Sequence, residues 1–427
     1  MTNHRLGPIL LADGVQPRHA VSFIVVAIAS IGLLVFLNFM QPYLLYGQVI
    51  APPAWLGRIT SLLGTMHEFI VLLCVGPLGA LSDRTGRPVM FAAGLVIIAL
   101  ALAAYAMVGN LAELAAARAL FACGAAATTA TLAAVAADYP ENSARGKFLG
   151  LLLITQQIAI LVLVANGAAR LPHLLVAHGM GKIAAGQCTF AIAAAFALAS
   201  AGLAFRGLRR PMVSAGVRPS VFHGLGQIAA HARLHPRFLI VLLVAFVARG
   251  DASIMGAFLS LWAVKTATAT GMTQTSAFAL AGRLLSAVTI CGIAAACAIG
   301  WLADRVDRLI PLTIALAVAG LGNAALMFIH DVTSWPVVVL VGVIAAGETA
   351  VIICGQTILG EQAPPALRGA ATGMFGICGS LGVLILVNSG GFLFDKMSPQ
   401  APFIMLGVVN LLGCGGAFVA GKKDVLF

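Results

Sequence analysis

Charge is what this sequence has least of. Lys, Arg, Asp and Glu make up 9% of 427 residues, while apolar residues make up 61%; a soluble domain carries roughly 25% charged residues. So few charges cannot cover a water-facing surface, which excludes an ordinary soluble globular protein. No long polar stretch exists to form a soluble domain, which speaks against an attached sensor module. The eight cysteines (Cys74, Cys123, Cys188, Cys291, Cys297, Cys354, Cys378 and Cys414) fall inside apolar runs and none pair at metal-ligand spacing. Neither a disulfide framework nor a zinc or other metal site is expected from them; they read as small buried apolar residues. The Gly-rich pattern that cradles nucleotide phosphates is missing, so ATP is not the expected energy source and no cofactor is implied. No clustered nucleophile and base stands out, which weighs against a membrane-embedded enzyme. A cleavable leader is not expected either: residues 1–19 are polar, and the apolar run from Ala20 to about Tyr46 is too long for one and lacks a small-x-small cut site.

What the sequence does have is long apolar runs. A helix needs about 20 such residues to cross the hydrocarbon core. Breaking the chain at Gly, Pro and charge clusters gives twelve runs, centred near residues 33, 69, 99, 125, 158, 194, 251, 288, 319, 348, 382 and 411. Their orientation follows from Lys and Arg, which collect in cytoplasmic loops. With the N-terminus inside, the inner side gathers Arg5, Arg18, Arg84, Arg87, Arg145, Lys147, Arg305, Arg308, Arg368, Lys422 and Lys423, whereas the outer side keeps Arg58, Arg170, Lys182, Lys265 and Lys396. The loop at 206–237 adds six Arg and no acid, and separates six spans (1–205) from six (238–427). Its stretch "SVFHGLGQIAAHARLH" reads as an amphipathic helix on the membrane surface or as a plain basic tether. The net charge of +11 is thereby a topology signal rather than a sign of nucleic-acid binding.

The two halves repeat. "GPLGALSDRTGRPVM" follows the second span and "GWLADRVDRLIPL" the eighth; "PENSARGKFLG" follows the fourth and "EQAPPALRGAATG" the tenth. In a chain this poor in charge, two copies of an Asp-Arg turn half a chain apart suggest a device used once per half. Each turn reads as a latch: Asp83 can hold a facing helix start, where the dipole favours an anion, and Arg84 and Arg87 can pair with carboxylates or lipid phosphates. Gly79 and Gly86 permit close approach and a tight turn. The plainer reading is an ordinary positive-inside anchor.

On these residues the chain resembles the major facilitator superfamily along essentially its whole length. That family's signature between spans 2 and 3 is similar to Gly76, Leu78, Gly79, Asp83, Arg84, Gly86 and Arg87 here; the second copy, Gly300, Leu302, Asp304, Arg305 and Arg308, is degenerate, with Asp307 where a Gly is usual. The fourth span's "RALFACGAA" is similar to a second signature through Arg118, Gly124, Ala125 and Ala126, with Ala122 in place of a usual Gly. The resemblance implies an all-α membrane protein of twelve helices in two pseudo-symmetric six-helix bundles. It also implies a secondary transporter whose cytoplasmic gate would be Gly79, Asp83, Arg84, Gly86, Arg87, Asp304, Arg305 and Arg308, with Arg145 and Arg368. The fifth span has no Gly-Pro pair, the mark of the family's drug–proton antiporters. The sugar-porter and peptide-symporter motifs are missing as well.

Six charges lie well inside predicted spans: Glu68, Arg118, Arg249, Asp251, Arg283 and Glu348. Each costs about 2.5–3.5 kcal/mol or more at mid-membrane, so each reads as functional by default. Arg118, Arg249 and Arg283, with Gln156, Gln157 and Asn38, are the candidate substrate contacts; Asp251, Glu348 and Glu68 are the candidate proton carriers. Arg249 and Asp251 stand two apart and point to roughly opposite sides of one helix. An alternative has the six charges pairing only with one another. Gln41, Tyr43, Asn323, Gln356 and Asn388 fill in as polar neutral residues, more often helix ties than ligand contacts, and His67 is a weaker proton acceptor. Gly373, Gly376, Gly379 and Gly382 recur every three residues in the eleventh span, a stripe that lets a neighbouring helix approach closely or slide; it reads as a moving interface and not a site. The expected activity is proton-coupled movement of a small organic anion or zwitterion across the inner membrane by a monomer whose partners are substrate, protons and lipids. The alternatives are proton-driven export of a hydrophobic compound, metal chelate or siderophore, and a non-transporting membrane scaffold.

Overall fold

The computed structural model describes residues 5–47, 52–141, 144–209, 226–230, 232, 235–303, 305–329, 331–364 and 367–423. The described residues hold twelve helices long and apolar enough to cross a membrane. They run α1 Pro17–Gly47, α2 Leu56–Thr85, α3 Arg87–Met107, α4 Leu111–Asp138, α5 Arg145–Ala159, α6 Lys182–Gly207, α7 Pro236–Ala269, α8 Gln274–Ala303, α9 Leu309–Ala325, α10 Trp335–Gln362, α11 Arg368–Lys396 and α12 Ala401–Lys423. The chain is a multi-pass all-α membrane protein, as its apolar runs require. α5 continues as a π-helical stretch, Ile160–Ala168, before a short helix, Leu171–Ala177. Within that stretch the Asn166 side chain donates to the Leu161 carbonyl five residues back, at 2.8 Å.

The chain divides into two compact units: Met1–Ala51 with Met66–Gly216, and Pro52–Thr65 with Val217–Phe427. Each has its own aromatic core. The largest fully buried side chains include Phe23, Phe91, Tyr105, Phe121, Phe148 and Phe190 in the first unit and Phe238, Phe258, Trp262, Phe278, Phe394 and Phe403 in the second. Phe190 stands edge-on to Phe36 at 5.2 Å and stacks on Tyr105 at 5.6 Å. In the second unit Trp262 meets Phe403 edge-on at 5.6 Å.

The packing plan repeats with a shift of six helices. α3 packs on α4 and α6 in the first unit, and α9 packs on α10 and α12 in the second. Small residues make these crossings close. A Cβ at Gly124 of α4 would sit 2.8 Å from the Gly94 carbonyl oxygen of α3, and one at Gly347 of α10 would sit 2.7 Å from the Ala319 nitrogen of α9. Gly124 is therefore a packing residue of the motif that contains Arg118. In α11, Gly382 lies against the Phe246 backbone of α7 and Gly379 against the stem of Arg249, whereas Gly376 has open space beside it. The glycine stripe is thus a helix contact along only part of its length.

Two features escape a reading by apolar runs. The N-terminal residues are ordered by pairing: Arg5–Leu6 and Ile9–Leu10 form a small antiparallel hairpin. Leu11 bridges to Pro140, and the Ala12 N–H donates to the Tyr139 carbonyl at 2.9 Å. Arg209 closes this clasp by donating to the Asp13 carbonyl at 2.7 Å. Within the second unit, the Gly57 and Arg58 N–H groups at the start of α2 both donate to Asp395 at 2.8 Å, an anion placed at the positive end of a helix dipole. Most of the loop 206–237 lies outside the described residues. Residues 226–230 are helical, and Ile228 is buried in the second unit's core with Phe238 and Leu309.

Candidate functional site

In the first unit the site is a buried guanidinium. α4 starts cleanly: Asn110 caps it by accepting from the Glu113 N–H at 2.9 Å, and Glu113 reaches back to the Gly109 N–H at 2.8 Å, a reciprocal cap. Two turns further, Arg118 is 3% exposed. Its Nη2 donates to the Asn38 side-chain oxygen of α1 at 2.7 Å. Its Nε and Nη1 are buried and have no hydrogen-bond partner among the described residues. The Tyr105 hydroxyl and the His67 ring lie within electrostatic reach. The His67 Nδ1 is likewise buried with no partner among those residues; the Tyr105 hydroxyl is buried close enough to the guanidinium to interact with it. A guanidinium offers five donors in a fixed fork that matches a carboxylate or phosphate, and no carboxylate among the described residues meets that fork.

In the second unit the site is a pair of buried carboxylates. Asp251 of α7 is 0% exposed and Glu348 of α10 is 7% exposed. The Asn410 amide of α12 donates to both oxygens of Asp251 at 3.0 Å, and also to the Leu406 carbonyl at 3.0 Å. The Asn323 amide of α9 donates to Glu348 at 3.2 Å. The two carboxylates lie within electrostatic reach of each other. Sequence reasoning found both acids and Asn323 but missed Asn410. Only the cost of placing a second Asn mid-helix opposite Asp251 could have flagged it.

The six intramembrane charges do not all pair off. Among the described residues no ion pair joins Arg118, Asp251 or Glu348 to an oppositely charged side chain. Arg249 is exposed while Asp251 is buried, so the two do face different ways. Arg283 is exposed on the surface of the second unit, and Glu68 is buried in the first. Gln156 and Gln157 are half-buried in α5 and Gln356 is exposed. Gln41 is buried with its side-chain oxygen unpartnered, and the Tyr43 hydroxyl donates to the Lys182 carbonyl at 2.8 Å. Asn388 ties to the Thr65 hydroxyl and to the Leu384 carbonyl, a helix tie.

The two Asp-Arg turns are built alike. Arg87, at the start of α3, pairs with Asp83 at 2.6 Å and with Asp138, the last residue of α4, at 3.2 Å. Arg308, just before α9, pairs with Glu361 in the last turn of α10. In both units an Arg at the start of the third helix of six is held by an acid at the end of the fourth. Asp138 and Glu361, neither singled out in the sequence, complete the device. Asp307 takes over a capping role, accepting the Leu309 N–H at 3.0 Å and pairing with Arg237 at 3.2 Å. Gly86 turns the first copy at φ 94°, a conformation that favours glycine; Gly79 is half-buried in α2. Arg84 is exposed, and Arg145 donates to the Ala137 carbonyl near the end of α4 at 3.3 Å. Arg305 lies in the turn after α8; Asp304 and the side chain of Arg368 lie outside the described residues.

The family model of the Major Facilitator Superfamily matches residues 241–424. The chain is 26% identical over 365 residues to the magnetosome protein MamZ of Paramagnetospirillum magneticum, covering 83% of this chain but 55% of that protein. It is 25% identical over 369 residues to the magnetosome protein MamH of the same organism, covering 83% of this chain and 81% of that one. The chain thus spans about half the length of the MamZ relative it matches. Among solved structures, a bacterial homologue of the human lysosomal transporter Spinster superposes with a TM-score of 0.72 at 13% identity, over 96% of this chain and 98% of that one. A POT family transporter in complex with 5-aminolevulinic acid gives 0.72 at 12% identity, over 96% and 98%. The nucleoside transporter NupG gives 0.67 at 16% identity, over 95% and 98%. The twelve helices, the repeated packing plan and the duplicated Asp-Arg turns agree with these likenesses: the chain is a multi-pass membrane protein with the fold of the Major Facilitator Superfamily.

Proposed function

We propose that the chain moves a small organic anion or zwitterion across the inner membrane by alternating access, coupled to protons. The observation that carries this reading is the fork of Arg118, wholly buried and without a carboxylate partner among the described residues. Burying an ion costs several kcal/mol unless a countercharge meets it, and an anionic solute supplies that countercharge. Asn38 holds the guanidinium in place, and Gln156 and Gln157 of the same unit are further contacts. Asp251, Glu348 and Glu68 carry the proton, because a carboxyl group can cross the apolar interior neutral far more cheaply than charged. The monomer surrounded by lipid suffices. The test is uptake by full-chain proteoliposomes of a panel of small carboxylates, phosphates and zwitterions under an imposed pH gradient. Gradient-dependent uptake of at least one anion or zwitterion is expected; a panel with none, from protein shown to be folded, rejects the reading.

Both termini and the loop 206–237 lie in the cytoplasm in this account, from the Lys and Arg bias. Reporter fusions after Phe427 and inside that loop should both report cytoplasm, and an external signal at either place defeats the topology.

The paired Arg turns act as cytoplasmic latches, holding α2, α3 and α4 together in one unit and α9 with α10 in the other. Asp83→Asn removes one of the two acids on Arg87. It should leave the protein in the membrane, cut transport sharply and raise cysteine labelling from the cytoplasmic side. Unchanged transport would leave the turn as a topology anchor.

A second reading concerns place. The 25–26% likeness to magnetosome proteins over 83% of the chain favours service at a membrane of that kind, where the same transport would act on the enclosed volume. A fluorescent fusion that spreads evenly over the inner membrane of a magnetosome-forming host would count against it.

A further inference from the structure

Basic side chains of the first unit converge on one cleft, and no acid lines it. The cleft has a volume of about 410 Å³ and is lined by His19 at the start of α1 and by Phe205, Arg206, Leu208 and Arg209 at and just after the end of α6. The two helix ends meet closely: a Cβ at Gly207 would sit 2.6 Å from the Ser22 hydroxyl oxygen. Local bonds set the lining. His19 Nδ1 accepts the Gln16 N–H at 3.2 Å, which leaves Nε2 as the donor of the neutral ring. The Arg209 N–H donates to the Tyr139 hydroxyl at 2.9 Å, and its Nη1 donates to the Asp13 carbonyl at 2.7 Å. Gly14, at φ 76°, lets that guanidinium lie close, since a Cβ there would stand 2.7 Å from Nη2. These partners hold Arg209 without cancelling its charge. Among the described residues neither Arg206 nor Arg209 forms an ion pair, with Asp13 or any other acid. Arg18 lies within electrostatic reach of His19. The first turn of α1 holds no acid, so the positive end of its dipole adds to the same field.

The cleft ends an apolar face. Leu198, Gly202, Phe205 and Arg206 recur at spacings of three and four residues, which puts them on one side of α6, and all four are exposed. We infer that this cleft binds the phosphate headgroup of an anionic phospholipid whose acyl chains run along that face of α6. The phosphate accepts from the forks of Arg206 and Arg209 and from His19 Nε2, and basic pockets between spans recognise anionic headgroups in this way. Charge selects the anion, and the apolar face beside the cleft selects a lipid over a soluble phosphate. With the topology proposed above, the lipid belongs to the cytoplasmic leaflet. A headgroup held here joins the N-terminal clasp to the end of α6, where the basic loop 206–237 begins. In the sequence Arg206 and Arg209 are part of a topology signal; the fold gives them a ligand. The site goes beyond the transport reading and does not depend on which solute moves.

The test uses the purified full chain in a neutral detergent. Phosphatidylcholine, phosphatidylglycerol, cardiolipin and glycerol phosphate are added in turn while thermal unfolding is followed, and native mass spectrometry detects the lipid retained. A saturable rise in Tm with phosphatidylglycerol or cardiolipin, and none with phosphatidylcholine or glycerol phosphate, is expected. Arg206→Gln should weaken binding of the responding lipid by at least about tenfold, the size of one charge-assisted contact. Arg206 is exposed, so the fold is expected to persist in that variant. Lys147→Gln removes an equal charge from another exposed position of the same unit and should leave lipid binding unchanged. Equal stabilisation by phosphatidylcholine or by glycerol phosphate overturns the anionic-lipid site. So do equal losses from Arg206→Gln and Lys147→Gln, which would mean a diffuse basic surface. Solute uptake is measured separately in the same protein, so failure of the lipid site and failure of the transport reading are told apart.

Discussion

Arg118→Lys should lower the affinity for a carboxylate or phosphate solute by about 10- to 100-fold while the amount of protein in the membrane stays the same. The substitution keeps the positive charge but gives up the planar fork. In the structure one arm of that fork is fixed by Asn38 at 2.7 Å, which leaves Nε and Nη1 aimed and unpartnered. A lysine can satisfy Asn38 or the solute, with no geometry that holds both. Hydrogen bonds between charged groups contribute about 1.5–3 kcal/mol, and about 1.4 kcal/mol corresponds to a factor of ten, which sets the size of the loss. Solute titrations of substrate-induced stabilisation in the purified protein read the affinity without needing transport. Asn38→Ala should give a smaller loss in the same direction, because it frees the guanidinium without removing it. An Arg118→Lys protein that binds as the wild type does would mean that the buried guanidinium is only structural.

Glu348→Gln should abolish accumulation driven by a pH gradient and leave solute exchange at equal pH largely intact. The amide mimics the protonated acid in size and charge and cannot release a proton. The Asn323 partner, at 3.2 Å from Glu348, has an oxygen without a donor, so it can turn to accept from the new amide. The fold is therefore expected to persist. The measurement compares uptake against an imposed gradient with counterflow in the same vesicles. Loss of both together would mean that Glu348 serves the structure or the solute, and that the proton travels elsewhere.

How much of this was legible before any fold was known depended on distance along the chain. Twelve spans were readable because the length of an apolar run is a local property, and helices such as Arg87–Met107 and Leu111–Asp138 begin and end at charges or caps. The buried charges were readable because their cost in a membrane is high wherever the helix packs. Their partners were not. Nothing near Arg118 in sequence points to Asn38, eighty residues away. Nothing near Asp251 points to Asn410, 159 residues on. Pairing of Arg87 with Asp138 and of Arg308 with Glu361 follows from packing third helices on fourth, which only the fold supplies. The N-terminal hairpin was hidden for a related reason: its strands are two residues long, too short to show a period. Its stability comes from the turn around Tyr139, far away in sequence.

The central claim is that one chain joins an anion site at Arg118 to proton handling at Glu348 and Asp251. Proteoliposomes loaded with a pH-sensitive dye test it most directly, with the outside challenged by each anion or zwitterion of the uptake panel. The account predicts a solute-dependent proton flux in wild-type protein that shrinks with Arg118→Lys at fixed solute concentration and disappears with Glu348→Gln. Solute uptake with no accompanying change in internal pH, and with no response to either substitution, would contradict it.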